Sequence, residues 1–306
     1  MLPSAAWNAA LVLVGIACLY LGAEVLVRGA TRLALGIGLR AAVVGVTVVA
    51  FATTTPELFV AVLAGAGYAS VLGLGAVVGS NIANIGLVLG VAALVRPFDV
   101  DREVLRRHVP FMLGATGLLV VLAVDGRVSA LDGGVLLVAL VVFTVTLLLR
   151  SSGRGDATRE VTARDLLFVC GGLLLLLAGA RALIEGGTGL LAGFGIPSRV
   201  IGLTVLALGT SLPELATSVV SARRDEGTVS VANVVGSNIY NVLAVLGVLA
   251  LFVPVAVPRE VVTVDLPALV VFTLAGVALM LHRRDVSRLD GTLLLGGYVV
   301  FVGLLV

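Results

Sequence analysis

The chain has 306 residues, of which 59% are hydrophobic and 12% charged, with a formal net charge of +2 and a mean hydropathy of +1.19. A soluble domain carries about 25% charged residues, so a wholly wetted surface is excluded, and the scattering of the cations over short loops excludes a nucleic-acid-binding face. Cys18 and Cys170 lie singly inside apolar runs without paired spacing, which excludes a disulfide framework and a thiolate metal centre.

The apolar runs reach the length that crosses a bilayer, about 20 residues each, and ten spans are expected. The first is 9–27. The MLPSAAWN before it has no basic residue and Arg28 and Arg32 follow it, the reverse of a cleavable signal peptide's charge order. The second, 41–66, carries the polar run Thr53-Thr54-Thr55-Pro56-Glu57, and the third, 70–95, carries Gly79-Ser80-Asn81-Ile82-Ala83-Asn84. The fourth and fifth, 109–124 and 131–149, are apolar. A polar, glycine-containing stretch, 151–163, reads as a linker between residues 1–150 and 164–306. Beyond it the order recurs. A sixth span at 164–184 is followed by a seventh at 198–221 with Thr210-Ser211-Leu212-Pro213-Glu214. The eighth, 228–253, carries Gly236-Ser237-Asn238-Ile239-Tyr240-Asn241, and the last two are 262–281 and 291–306.

The chain contains no lysine. With ten spans, sixteen of its arginines fall in loops on one side and four (Arg127, Arg181, Arg199, Arg259) on the other. The positive-inside rule makes the arginine-rich side cytoplasmic and both termini extracytoplasmic.

Comparison of the chain with itself reveals one fold written twice. GVTVVAFATTTPEL (45–58) matches GLTVLALGTSLPEL (202–215) at an offset of 157, and the same offset aligns VVGSNIANIGLVLGV (77–91) with VVGSNIYNVLAVLGV (234–248). ALDG (130–133) matches RLDG (288–291) at 158. Each half holds five spans, an odd number, so the second enters the membrane from the opposite side. The expected fold is an all-α membrane protein of ten transmembrane helices in two inverted five-helix repeats, an architecture that places transporter sites near the midplane, where discontinuous helices meet.

Of the 18 acids, only Glu57 and Glu214 fall well inside spans, and they are repeat equivalents. A carboxylate in hydrocarbon costs several kcal/mol and marks a site or an ion path. Two facing each other repel unless cations lie between them. Thr53 and Thr54 precede Glu57 by four and three residues, as Thr210 and Ser211 precede Glu214, so hydroxyl and carboxylate share a helix face. Proline removes an N–H and loosens each helix, which frees main-chain oxygens. In the following span Ser80 and Asn84 are i,i+4, as are Ser237 and Asn241. Asn81 and Asn238 read either as site residues or as interhelical glue. Hydroxyl, carbonyl and carboxylate oxygens are hard ligands that suit Ca²⁺ and Na⁺.

These paired T-T/S-x-P-E and G-S-N-I-x-N motifs resemble the alpha-repeats of the calcium/cation antiporter superfamily, in its prokaryotic sodium/calcium exchanger branch. The resemblance runs over essentially the whole chain. It implies exchange of Na⁺ for Ca²⁺ by alternating access at four cation sites between spans 2, 3, 7 and 8, in the cell inner membrane, with the ions as cargo and no cofactor. Glu57 and Glu214 match its bridging acids. Thr53, Thr54, Thr210, Ser211, Ser80 and Ser237 match its hydroxyl ligands. Ala50 and Ala207 match positions that contribute carbonyls, and Asn84 and Asn241 match flanking polar positions. Position 241 is Asn where potassium-dependent relatives and some archaeal members carry Asp. The proton-coupled branch, the alternative on the same scaffold, usually has Gly-Asn where this chain has Thr53-Thr54 and Thr210-Ser211. An intramembrane enzyme is disfavoured, because no histidine lies in a span to activate Ser80 or Ser211.

Overall fold

The computed structural model describes residues 4–38, 40–55, 57–58, 70–151, 160–193, 209 and 211–305. Helices dominate: α1 (Ser4–Ile37), α2 (Ala42–Thr53), α3 (Gly73–Val95), α4 (Val104–Ala123), α5 (Ala130–Ser151), α6 (Ala163–Gly193), α7 (Leu212–Arg223), α8 (Gly227–Phe252), α9 (Val261–Arg283) and α10 (Arg288–Leu305). Among the described residues, eight of these are long and apolar enough to cross a membrane. The expected spans 41–66 and 198–221 run through residues outside the described set, which leaves α2 and α7 as their described parts. The chain is an integral membrane protein. Large apolar side chains such as Leu13, Val121, Leu149, Leu167 and Leu304 stand exposed on its outside, while α3 and α8 are its most enclosed helices.

Two helices outrun their expected bounds. α1 has 34 residues and α6 has 31, so at 1.5 Å per residue each is roughly 50 Å long against an apolar thickness of about 30 Å, and must tilt or project. Charge ends an apolar window but not a helix. Arg28 continues α1 because its guanidinium bonds Glu24 Oε1 one turn back, from Nε at 2.9 Å and Nη2 at 2.6 Å. Glu24 is also paired with Arg224, and Glu226 accepts the Thr31 hydroxyl at 3.0 Å, which ties α1 to the α7–α8 turn.

The two halves reproduce each other's irregularities. Wide π-turns begin α4 and α9, at Val104–His108 and Val261–Asp265, each just ahead of a proline, Pro110 or Pro267, that has no N–H for the regular ladder. Two further π-turns, Asn84–Leu89 and Asn241–Leu246, lie at equivalent points of α3 and α8. Helices α5 and α10 start on the same cap. Asp132 accepts the Ser129 N–H at 2.7 Å and hydroxyl at 2.6 Å, and Asp290 does the same for Ser287 at 2.9 and 2.6 Å.

Contacts between the halves are reciprocal. Strand β1 (Phe98–Asp99) pairs antiparallel with β4 (Asp285–Val286), and β2 (Arg127–Val128) with β3 (Val255–Ala256). Gly90 of α3 lies against the Gly291 backbone of α10, as Gly133 of α5 lies against the Gly247 backbone of α8.

A glycine seam joins α1 to α6. Gly15, Gly22 and Gly29 recur every seven residues on one helix, and Gly172, Gly179 and Gly186 on the other. A methyl group on Gly22 would lie 2.8 Å from Leu176 N and 2.9 Å from Gly172 O, and one on Gly179 would lie 2.7 Å from Leu19 N and 2.9 Å from Gly15 O. The two backbones touch along much of their length, as small residues permit in a bilayer.

Candidate cation-binding site

After a π-turn at Gly45–Val49, the last α-helical piece of α2, Ala50–Thr53, ends at Thr54, with φ −82° and ψ −4°. Its repeat equivalent, Ser211, stands before α7 at φ −86° and ψ 3°. Both have ψ near zero, well off the helical value of about −42°. Pro213 opens α7 and cannot bond the carbonyl four residues earlier. Each break sits three residues ahead of its carboxylate.

Beside these breaks the side-chain oxygens of Thr53, Thr54, Glu214 and Ser237 form a group drawn from both halves. Thr53, Thr54, Glu57, Ser80, Asn84, Ser211, Glu214, Ser237 and Asn241 are all buried. The Thr54 and Ser237 hydroxyls each lie 3.5 Å from Glu214 Oε1, and the Thr53 and Ser237 hydroxyls lie 3.4 Å apart. An optimal O–H···O bond is about 2.7 Å. Two ligands at right angles around a cation about 2.4 Å from each are roughly 3.4 Å apart, so the observed spacings fit oxygens arranged to share an ion. Among the described residues, Ser80 Oγ, Asn84 Oδ1, Ser211 Oγ, Glu214 Oε2 and Asn241 Oδ1 have no hydrogen-bond partner. Buried polar atoms left so are costly, and every one of these is an acceptor suited to a hard cation. Ala50 is buried at the end of α2, and its carbonyl accepts the Thr54 N–H at 2.9 Å and the Thr53 hydroxyl at 3.2 Å. Ala207, Thr210 and Pro56 lie outside the described residues.

Close packing of α8 on α2 brings the halves together. A methyl on Gly236 would lie 2.7 Å from Ala50 Cβ and 2.8 Å from Val46 O, so any other residue beside Ser237 would push α8 off the site. The π-turns of α3 and α8 start at Asn84 and Asn241 themselves, a local widening common at functional positions.

One residue beside the site is absent from the sequence expectations. The Asn233 amide nitrogen donates to Thr217 Oγ1 and Ser218 Oγ, both at 3.1 Å, and its Oδ1 accepts the Thr53 hydroxyl at 3.3 Å. It braces α7 against α8 and holds Thr53 from the other half. The available signal was its i,i+4 spacing to Ser237. Self-comparison hid it, because the equivalent of Asn233 is Ala76, and Thr217 and Ser218 correspond to Val60 and Ala61. Of the two i,i+4 charge pairs in α1 and α6, Glu24–Arg28 forms, whereas Arg181–Glu185 is not among the ion pairs of the described residues.

The family described as sodium/calcium exchanger protein matches residues 7–149 and again 165–306. The inner membrane protein YrbG of Escherichia coli strain K12 is 35% identical over 312 residues, covering 97% of this chain and 96% of the relative. Sodium/calcium exchanger MaX1 of Methanosarcina acetivorans is 29% identical over 340 residues, covering 96% and 97%. The solved structure of the sodium-calcium exchanger NCX_Mj, soaked with zero Na⁺ and Ca²⁺, superposes with a TM-score of 0.87 at 30% identity, covering 98% of this chain and 99% of that one.

Proposed function

The chain belongs to the sodium/calcium exchanger protein family, and from that premise we propose that it exchanges Na⁺ for Ca²⁺ by alternating access, with the ions held between α2, α3, α7 and α8. The observation that carries the proposal is the convergence of the Thr54 and Ser237 hydroxyls on the buried Glu214 carboxylate across the two halves, with Glu57 buried at the equivalent position of the other half. The ligands are Glu57, Glu214, Thr53, Thr54, Ser80, Asn84, Ser211, Ser237 and Asn241, with Thr210 and the carbonyls of Ala50 and Ala207. Ala50 joins when the Thr53 hydroxyl turns from its carbonyl to an ion.

Charge sets the exchange rule. Two carboxylates balance one Ca²⁺ or two Na⁺, so either load crosses an occluded state at low residual charge, while the empty pair is left with two uncompensated anions in a low-dielectric interior. The loads compete for the same oxygens. Each therefore excludes the other, and neither is released without replacement on the return.

The proposal includes ten spans in two inverted repeats, residues 1–150 and 164–306, joined by a cytoplasmic linker at 151–163 in the cell inner membrane. The reciprocal strand pairs and glycine contacts support a two-fold relation between halves, and five spans per half make that relation an inversion. On a background lacking Cys18 and Cys170, cysteines at Ser151 and Arg284 are expected to react with an impermeant thiol reagent only from the cytoplasm, and one at Ser4 only from outside. Reaction of Ser4 and Ser151 positions from the same side would break the ten-span topology.

Independence of K⁺ follows from residue 241. Asn84 and Asn241 are neutral, so the site has two formal negative charges for all its cations, and a K⁺ bound beside Ca²⁺ would be left unbalanced. Ca²⁺ uptake into proteoliposomes is expected to follow an imposed Na⁺ gradient and to be unaffected by K⁺. Asn241→Asp is expected to add a pH dependence, since a third carboxylate beside Glu57 and Glu214 tends to hold a proton. Uptake driven equally well by a pH gradient alone would replace Na⁺ with H⁺ as the coupling ion.

A further inference from the structure

The four asparagines of the two G-S-N motifs bond one another across the interface between the halves. Asn81 Nδ2 donates to the Asn238 main-chain oxygen at 3.2 Å, and Asn238 Nδ2 returns a bond to the Asn81 main-chain oxygen at 3.3 Å. The side-chain oxygens of the same two residues accept a second pair of bonds. Asn84 Nδ2 donates to Asn238 Oδ1 at 2.9 Å, and Asn241 Nδ2 donates to Asn81 Oδ1 at 3.0 Å. All four residues are buried.

An amide has two faces of opposite use to a cation. Its oxygen ligates, its NH₂ repels, and a half-turn about χ2 exchanges them. In Asn84 and Asn241 the nitrogen is committed to the opposite half, and the oxygen is the atom left without a partner among the described residues. Ser80 Oγ, one turn before Asn84, is likewise without one. Asn81 and Asn238 therefore select which face each neighbouring asparagine shows. Only asparagine serves in their place. Aspartate lacks the donor for the main-chain bond and adds charge, and serine does not reach.

We propose that Asn81 and Asn238 are positioning residues for ion exchange: Asn81 holds Asn241, and Asn238 holds Asn84, each across the interface, with the amide oxygen turned to the ions. This rests on the exchanger reading of the site. Binding geometry in one half is then set by a residue of the other, and the two halves of the ion cluster adjust together.

The test is a pair of double-mutant cycles read as the KM for Ca²⁺ and the maximal Na⁺-driven rate in proteoliposomes. Asn81→Ala is expected to raise the KM about tenfold, the loss of one oriented hydrogen-bonding group, with a smaller change in maximal rate. Asn81→Ala with Asn241→Ala is expected to be no worse than Asn241→Ala alone, because the held group is already gone. Asn81→Ala with Asn84→Ala is expected to multiply, because Asn84 is held by Asn238. A merely structural role would lower the folded yield and the maximal rate, leave the KM unchanged and couple to both partners alike. That pattern, or multiplication in both cycles, overturns the proposal. If the alanine variants do not fold, Asn81→Ser and Asn238→Ser carry the same cycles. A wild-type protein without Na⁺-driven Ca²⁺ uptake overturns the exchanger reading and this proposal together, whereas exchange with multiplication in both cycles overturns this proposal alone.

Discussion

Glu57→Gln and Glu214→Gln are each expected to abolish Ca²⁺ transport while leaving the protein folded. Glutamine keeps the shape of the side chain and one of its acceptor oxygens, so the packing around these buried positions is preserved. What is lost is half of the charge that balances a divalent ion. A unit-charge interaction at 4 Å is worth about 4 kcal/mol at the effective dielectric of a protein and about twice that for a divalent ion, and each 1.4 kcal/mol is tenfold in affinity, so binding should weaken at least a thousandfold. Stability in ion-free buffer should move the other way. A buried carboxylate without a cation is desolvated and uncompensated, and its neutral isostere removes that cost. Ca²⁺ flux and thermal unfolding, measured with and without Ca²⁺, separate the effects. The variants should unfold at or above the wild-type midpoint without Ca²⁺ and gain nothing from its addition. Near wild-type exchange in either variant would falsify the shared two-carboxylate site.

Gly172→Leu is expected to be nearly as damaging for an unrelated reason. A Cβ at Gly172 would lie 2.5 Å from Leu26 N and 2.8 Å from Gly22 O. Backbone cannot step aside as a side-chain tip can, so the two long helices would have to part. Overpacking costs typically 1–3 kcal/mol even where side chains can shift, and here the seam beyond the substituted turn opens too. The adjacent Gly171 supplies the control, since a Cβ there meets nothing within 4 Å. Gly171→Leu should behave as wild type in detergent stability and flux, while Gly172→Leu should unfold several degrees lower and transport at least tenfold more slowly. Equal behaviour of the two neighbours would show that the α1–α6 contact is not required.

Much of the candidate site could be named from the sequence because polarity inside an apolar span is conspicuous and because it occurred twice. Glu57 and Glu214, the hydroxyls ahead of them and the G-S-N asparagines stood out on both grounds. Asn233 stood out on neither. It lies on a span already rich in polar residues, and its first-half equivalent is an alanine. The offset that exposed the duplicated site thus concealed the brace that only one half contains. The end of α1 was misplaced because hydropathy weighs Arg28 as a charge, whereas in the helix that arginine is paired one turn away with Glu24. The π-turns leave no periodic trace in a run where nearly every residue is apolar. Those of α4 and α9 follow from the lack of an N–H at Pro110 and Pro267. Reading Asn81 and Asn238 as either ligand or glue left open a role that needs both bonds at once. Spacing along one helix cannot show that an amide is held from another.

The crossed strand pairs bear on how such a chain comes to exist. Phe98 waits for Val286, and Val128 for Val255, so the first half reaches the bilayer with the partners of both strands and of the Gly90 face still to be synthesised. At about 5–20 residues per second, that interval is on the order of ten seconds or more, during which its inner surfaces have only lipid or an insertion partner to cover them. Among the described residues, both buried apolar clusters draw on the two halves. On the proposed two-repeat architecture the molecule is in effect a heterodimer made as one polypeptide, the chain connection raising the effective concentration of one half around the other. Cooperative unfolding in a single transition, rather than half by half, is the thermodynamic signature of that arrangement.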